Sequence, residues 1–262
     1  MSNFTQAYAS DAIPLTKSDL YGPDPFDVNF VWPIRPELLE TDRVKLVPFI
    51  PRIHGEYFWD QVEASPGLLR YYPTAWTSFE AFLQYHEGIV RRNPEHILLT
   101  VIDKTKPDAA HVEFEGGSLA GVMGLYYASP AHLTAEISFV VVLPAFQRTH
   151  VASNAVGILQ RYCLDLPTAT PPGLGLRRVQ WCAHPKNLGS VRLAERMGFV
   201  QEGIKRWMWV LPEELARDGE TPRKADKWPE RPGRHTVVLA CCWDDWEGGA
   251  QEIVKRTMDR RT

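Results

Sequence analysis

The stretch Trp181–Phe199, WCAHPKNLGSVRLAERMGF, decides how this chain is read. It closes a strand, turns tightly at Pro185 and enters a short helix. Asn187 stands at the N-cap, where a side-chain oxygen accepts from a first-turn amide. Gly198 stands just past the last turn, where the backbone needs a positive φ. Capping explains the shape of the segment. It leaves open what the polar residues at the turn, Asn187 and Ser190, do.

Working outward, RRVQWCA (177–183) reads as a strand before the helix, and GFVQEGIKRWMWV (198–210) as a long strand after it. Upstream, HVASNAVGILQRYCLD (150–165) places Val151, Ala155, Ile158, Leu159 and Tyr162 on one helical face. The strands HILLTVIDK (96–104), LAGVMGLYYA (119–128) and TAEISFVVVL (134–142) are joined by short loops, which predicts antiparallel neighbours. Before them, DRVKLVPF (42–49) alternates as a strand and residues 52–66 read as a helix. A second helix, SFEAFLQYHEGIVRRN (78–93), turns Phe79, Phe82, Leu83, His86 and Ile89 or Val90 inward and ends at Asn93-Pro94. HTVVLACCW (235–243) is a last strand, and WEGGAQEIVKRTMDRR a terminal helix. This order, without repeat or long linker, predicts one α+β domain with a mixed sheet. The divisions are an N-terminal arm over 1–42, the domain over 43–245 and a C-terminal helix over 246–262. The arm is expected to pack through Phe26, Phe30, Val31 and Trp32, as a lid, a dimer contact or a loose cover.

Composition narrows the function classes. The 262 residues are 44% apolar, enough for a well-buried core. A net charge of -3 gives no basic footprint for nucleic acid. No run of about 18 apolar residues marks a membrane span, and the start MSNFTQAYASDAIPLTK has no signal-peptide pattern. Cys163, Cys182, Cys241 and Cys242 fit neither a zinc site nor a disulfide framework, so no metal is expected and a reducing, cytoplasmic setting is. Asp244 and Asp245 are adjacent in sequence and read as solvated. GGSLAG (116–121) lies in a hairpin rather than a nucleotide loop.

Four stretches in order, AGVMGLYY, AEISFVVVLPAFQRTHVASNA, RRVQWCAHPKNLGSVRLAERMGFVQEG and HTVVLACCW, resemble the GNAT superfamily of acyl-CoA N-acyltransferases. The resemblance covers about residues 40 to 245. It is most specific in the third stretch, where Asn187, Ser190, Leu193, Ala194, Gly198 and Phe199 match the branch of ribosomal-protein alanine N-acetyltransferases. It implies the GNAT fold, with strands 134–142 and 177–183 parallel and splayed around the pantetheine arm of acetyl-CoA. Phe139, Val140 and Val141 would then offer backbone groups to that arm and to an oxyanion. The pyrophosphate would sit at Gln147, Arg148, Thr149, His150, Val151 and Ala152, at a helix N-terminus. His150 departs from the family's glycine there. Its ring either turns outward and leaves the amides usable, adds a donor, or weakens binding.

By the same resemblance Asn187 contacts the pantetheine end and Ser190 is the acid that protonates the departing thiolate. Against that stand plain capping and an exposed helical serine. Glu136 is the candidate base for the incoming ammonium, against a salt-bridged strand glutamate. His184 reads as a loop histidine or a second base. The acceptor side maps to 65–78 and 212–234, with Tyr71, Tyr72, Trp76, Trp207 and Trp209 as aromatic walls and the basic loop 221–234 as a lid or a solvated segment. The implied function is acetyl transfer to a primary amine, on a small molecule or a peptide N-terminus, in a ternary complex. The rivals are a non-catalytic CoA- or partner-binding module, with His150 as a mark of decay, and an acyltransferase acting on a specialised metabolite. A homodimer is compatible with all of these.

Overall fold

In the computed structural model, which describes residues 15–260, seven strands form one mixed sheet in the order β1-β2-β3-β4-β5-β7-β6. The strands are β1 (Val44–Pro48), β2 (Ile97–Asp103), β3 (Ser118–Ser129), β4 (Thr134–Val142), β5 (Arg178–Ala183), β6 (Val200–Val210) and β7 (Gly233–Cys242). The helices are α1 (Glu56–Glu63), α2 (Phe79–Tyr85), α3 (His150–Leu164), α4 (Leu188–Arg196), α5 (Trp243–Asp245) and α6 (Gln251–Met258). The element order is the one expected, and β1 to β4 are successive antiparallel neighbours. No helix among the described residues is long and apolar enough to cross a membrane.

The sheet explains the composition of its strands. Every residue of β2 is buried, which is why Ile97–Asp103 reads as a near-continuous apolar run. At the opposite end, β6 is an edge strand, exposed along its length except at Gly203. The inward face expected of α3 is buried in full, but so are Asn154 and Gln160 on its other side. Met258 and Val254 of α6 reach Gly157 there, leaving no room for a side chain. Both buried amide nitrogens are used: Asn154 Nδ2 donates to the Met258 carbonyl at 3.3 Å and Gln160 Nε2 to the Met197 carbonyl at 3.0 Å, while Gln160 Oε1 has no partner among the described residues. A single-face pattern therefore understates the burial of a helix covered twice.

The arm, from residue 15, is stapled to the body. Arg52 donates to the carbonyls of Tyr21 and Gly22, and Tyr162 Oη to that of Pro33. Phe30 and Trp32 pack on the core as expected, while Val31 points to solvent. Residues 1–14 of the expected arm lie outside the described residues. In the second helix the ambiguity between Ile89 and Val90 resolves to Val90, which is buried, because a π-type turn over His86–Arg91 shifts the inward face.

Two core histidines give this fold a pH dependence. His54 and His86 are buried around Phe49, and burial lowers each imidazole from 6.5 to about 4. The folded state holds them neutral, whereas the unfolded chain binds protons near 6.5. Stability is therefore fully present above about 6.5 and is lost as pH falls toward 4. The urea midpoint should fall across that window, and His86→Phe should flatten the fall. A flat midpoint between pH 6.5 and 4 in the wild type would contradict this.

Candidate active site

The ladder between β4 and β5 is short. These strands run parallel through Thr134–Arg178, Ala135–Val179 and Glu136–Gln180, and no pairing continues beyond. From Ile137 on β4 and Trp181 on β5 the backbones part, leaving peptide groups without a ladder partner across the gap. On its other side β4 stays bound to β3 through a bulge, in which Phe139 and Val140 stand against Met123 alone. Phe139 has a φ of 52°, a left-handed conformation that costs a bulky residue about 1–2 kcal/mol. Its buried ring offsets that cost. It lies 5.0 Å from Tyr72, 5.3 Å from Trp76 and 5.8 Å from Tyr85, centroid to centroid.

The gap opens into a cleft of about 720 Å³. Its walls include Glu136, Phe139, Val140, Asn187 and Ser190, which the sequence brought forward, but not Val141, which pairs with Val122. Asn187 caps α4 as expected: its Oδ1 accepts the Ser190 amide at 3.2 Å. At the other end Gly198 has φ +82°, with amides 198 and 199 donating to the carbonyls of Glu195 and Ala194. The Ser190 hydroxyl oxygen accepts from Trp181 Nε1 at 3.0 Å. With that lone pair engaged, the O–H proton is left to donate. Trp181 was not singled out in the sequence, because a strand tryptophan reads only as core.

Glu136 is 6% exposed, and its Oε2 accepts from Gln180 Nε2 at 2.7 Å. Gln180 also reaches Cys182 Sγ at 3.4 Å. Burial, followed by the Glu136 charge, pushes the Cys182 thiol up to about 12, so it stays protonated and is a poor nucleophile. His184 is buried, and its Nδ1 accepts the Lys186 amide at 3.0 Å. Burial, then Arg234, lowers its pKa. One ring nitrogen is thus already committed to the turn. Tyr71, Tyr72, Trp76 and Trp209 line the cleft. Trp207 does not: three β6 residues bulge between Lys205 and Trp209, and the Trp207 ring turns to His235 and to solvent.

The second corrected reading concerns Arg234. The sequence placed it in the basic loop. Strand β7 begins at Gly233, and Arg234 is a buried wall of the cleft. The flanking segments meet through Arg70 and Asp218, whose Nη2 and Oδ1 pair at 2.8 Å.

The predicted pyrophosphate loop lies away from the cleft walls, at the N-terminus of α3. Thr149 is the N-cap; its hydroxyl accepts the Val151 amide at 3.3 Å. The amides of His150 and Ala152 have no protein acceptor among the described residues. Gln147 Nε2 donates to the Val142 carbonyl at 3.0 Å, which ties the loop to β4. Arg148 is exposed with φ +61° and has no acidic partner among the described residues. The His150 ring turns away from the loop: its Nε2 lies 3.2 Å from Oδ1 of the buried Asp103. Cys242, Asp244 and Asp245 gather ligand atoms within 4.8 Å of one another. Asp245 is not simply solvated, as its Oδ2 accepts the Cys242 amide at 2.9 Å and caps α5.

A family model, "Acetyltransferase (GNAT) domain", matches residues 43–200. The chain belongs to the GNAT acetyltransferase family. This GNAT protein is accordingly an acyl-CoA-dependent acetyltransferase. No curated protein sequence matches it. Solved structures share the fold. A GCN5-related N-acetyltransferase from Brucella melitensis is similar at 21% identity and a TM-score of 0.61, over 85% of this chain and 94% of that one. Spermidine N-acetyltransferase from Vibrio cholerae, in complex with CoA and spermine, is similar at 14% identity and 0.55, over 79% and 99%. Mycobacterium smegmatis RimJ, in complex with CoA-disulfide, is similar at 14% and 0.57, over 81% and 88%.

The aromatic box makes the bulge testable. Phe139→Ala removes the ring that holds the left-handed turn and should cost about 3–5 kcal/mol in urea unfolding. A loss below about 1 kcal/mol would show that the bulge stands without it.

Proposed function

We propose that this protein transfers an acetyl group from acetyl-CoA to a primary amine, on a small molecule or a peptide N-terminus, by direct attack in a ternary complex. The observation that carries the reading is the break in the β4–β5 ladder with the Ser190 hydroxyl at its edge. The unpaired strand backbones suit the amide-rich pantetheine arm as an added strand. The free amides of the first turn of α3, with Arg148 beside them, suit the pyrophosphate. Asn187 sets the turn that places Ser190.

In this reading the amine lone pair attacks the thioester carbonyl carbon. A backbone amide of the Phe139–Val140 bulge donates to the developing oxyanion. Glu136, held by Gln180, takes the ammonium proton directly or through a water. As the carbon–sulfur bond breaks, the Ser190 hydroxyl donates to the leaving thiolate, which is a weak enough base to need only modest assistance. The Trp181 N–H steadies the serine oxygen as its proton departs. Cys182 takes no part.

Branch membership with ribosomal-protein acetyltransferases is supported by the Asn187-to-Phe199 motif and by the likeness to RimJ. The four unpaired cysteines suit a cytoplasmic setting. Exposed Val200, Ile204 and Met208 on edge strand β6 support a homodimer. A non-catalytic module loses its motive, since the imidazole of His150 does not occupy the phosphate loop.

Ser190→Ala should lower kcat by about 10²-fold, with CoA affinity unchanged. Unaltered turnover would remove the acid role. Glu136→Gln should lower kcat/KM for amines by a similar factor, about 10². His150→Ala should leave CoA affinity within about threefold in calorimetry, because the ring lies outside the loop. A loss of ten times or more would place His150 in the phosphate site.

A further inference from the structure

Arg234 is the residue that neither the fold nor the transfer chemistry accounts for. It sits near the start of β7, where β7 runs past the end of β5. The β5–β7 ladder stops at Ala183–Val237, so at Arg234 the sheet has a neighbour on one side only, Trp209 of β6. Its side chain lines the cleft and is 6% exposed. Thr236, two residues on and on the same face, accepts from Nη1 at 2.8 Å. Nε is buried without an acceptor. No carboxylate lies within ion-pair distance among the described residues. Glu136 attracts Arg234 at longer range, but its Oε2 is already held by Gln180.

A buried guanidinium without a partner is costly, and proteins normally pair buried charge. The groups around it do not supply the missing charge. Tyr72 and Cys182 lie close enough to feel Arg234, yet burial raises the pKa of both, so both are neutral at pH 7. His184, also near, has its pKa lowered and is likewise uncharged. Exposed Lys205 adds a second cation to the cleft wall. With Nη1 committed to Thr236, Nε and Nη2 remain, the adjacent pair of donors that matches the two oxygens of a carboxylate.

Resting on the acetyltransferase reading above, we propose that Arg234 is the specificity residue of the acceptor site and binds a carboxylate of the substrate. The acceptor class is then an amino carboxylate: an amine delivered to Glu136 and a carboxylate held by Arg234. A polyamine brings no anion to this guanidinium and places further cations beside it.

The test uses the full chain and matched acceptors at three spacings: phenylalanine and phenylalanine amide, β-alanine and its amide, γ-aminobutyrate and its amide, with spermidine as the cationic comparison. Acetyl-CoA binding is followed separately by calorimetry. The wild type should favour the acid over the amide for at least one pair, by about 10- to 100-fold in kcat/KM. Arg234→Gln should abolish that preference, lowering kcat/KM for the acid by about 10- to 100-fold more than for the amide, a split that a general structural defect would not produce. The wild-type comparison stands even if the variant folds poorly. Acetyl-CoA binding with equal use of acid and amide at every spacing, or with spermidine as the better acceptor, would overturn the role of Arg234 and leave the transferase reading intact. Absence of acetyl-CoA binding would overturn both.

Discussion

Three residue pairs hold β4 to β5, and the site follows from where that ladder ends. Up to Glu136–Gln180 the sheet is continuous. Beyond it, two strands of one sheet face each other without hydrogen bonds, an arrangement that persists only if each is held from its far side. β4 is held by β3 and by the Phe139 ring among Tyr72, Trp76 and Tyr85. β5 is held by six residue pairs with β7, running the length of the strand. The gap is therefore a property of the scaffold rather than of a loose strand, and Glu136 sits at the last closed rung.

The polar groups around the gap are arranged in linked pairs. Asn187 positions Ser190 through its backbone, and Trp181 orients it through its hydroxyl. Gln180 holds Glu136 and touches Cys182, whose thiol remains protonated. Each candidate group is thus fixed by a neighbour on β5 or α4. The buried Arg234 differs from these pairs in retaining an unused guanidinium donor, and Trp76 Nε1 on the same cleft wall is likewise unpartnered among the described residues.

Much of this was legible in the sequence, for local reasons. The order of elements followed from periodicity, and both ends of α4 from Asn187 and Gly198, because caps are written in single residues. The splay and the roles proposed for Ser190 and Glu136 came from the resemblance and not from spacing. What the sequence did not disclose depended on tertiary contacts. Arg234 looked like one more charge in a basic loop, since a strand start and a loop end share composition. Trp207 looked like a wall until a bulge turned it outward. The direction of the His150 ring could not be read until the buried Asp103, 47 residues earlier in the chain, was seen to contact it.

The central claim is that the open β4–β5 edge binds the acyl donor as an added strand. Amide hydrogen exchange with and without acetyl-CoA tests it most directly. The account predicts slowed exchange confined to residues 137–142, 181–183 and the first turn of α3, with little change in β1 and β2. Unchanged exchange along both edges at saturating acetyl-CoA, or protection elsewhere, would contradict it.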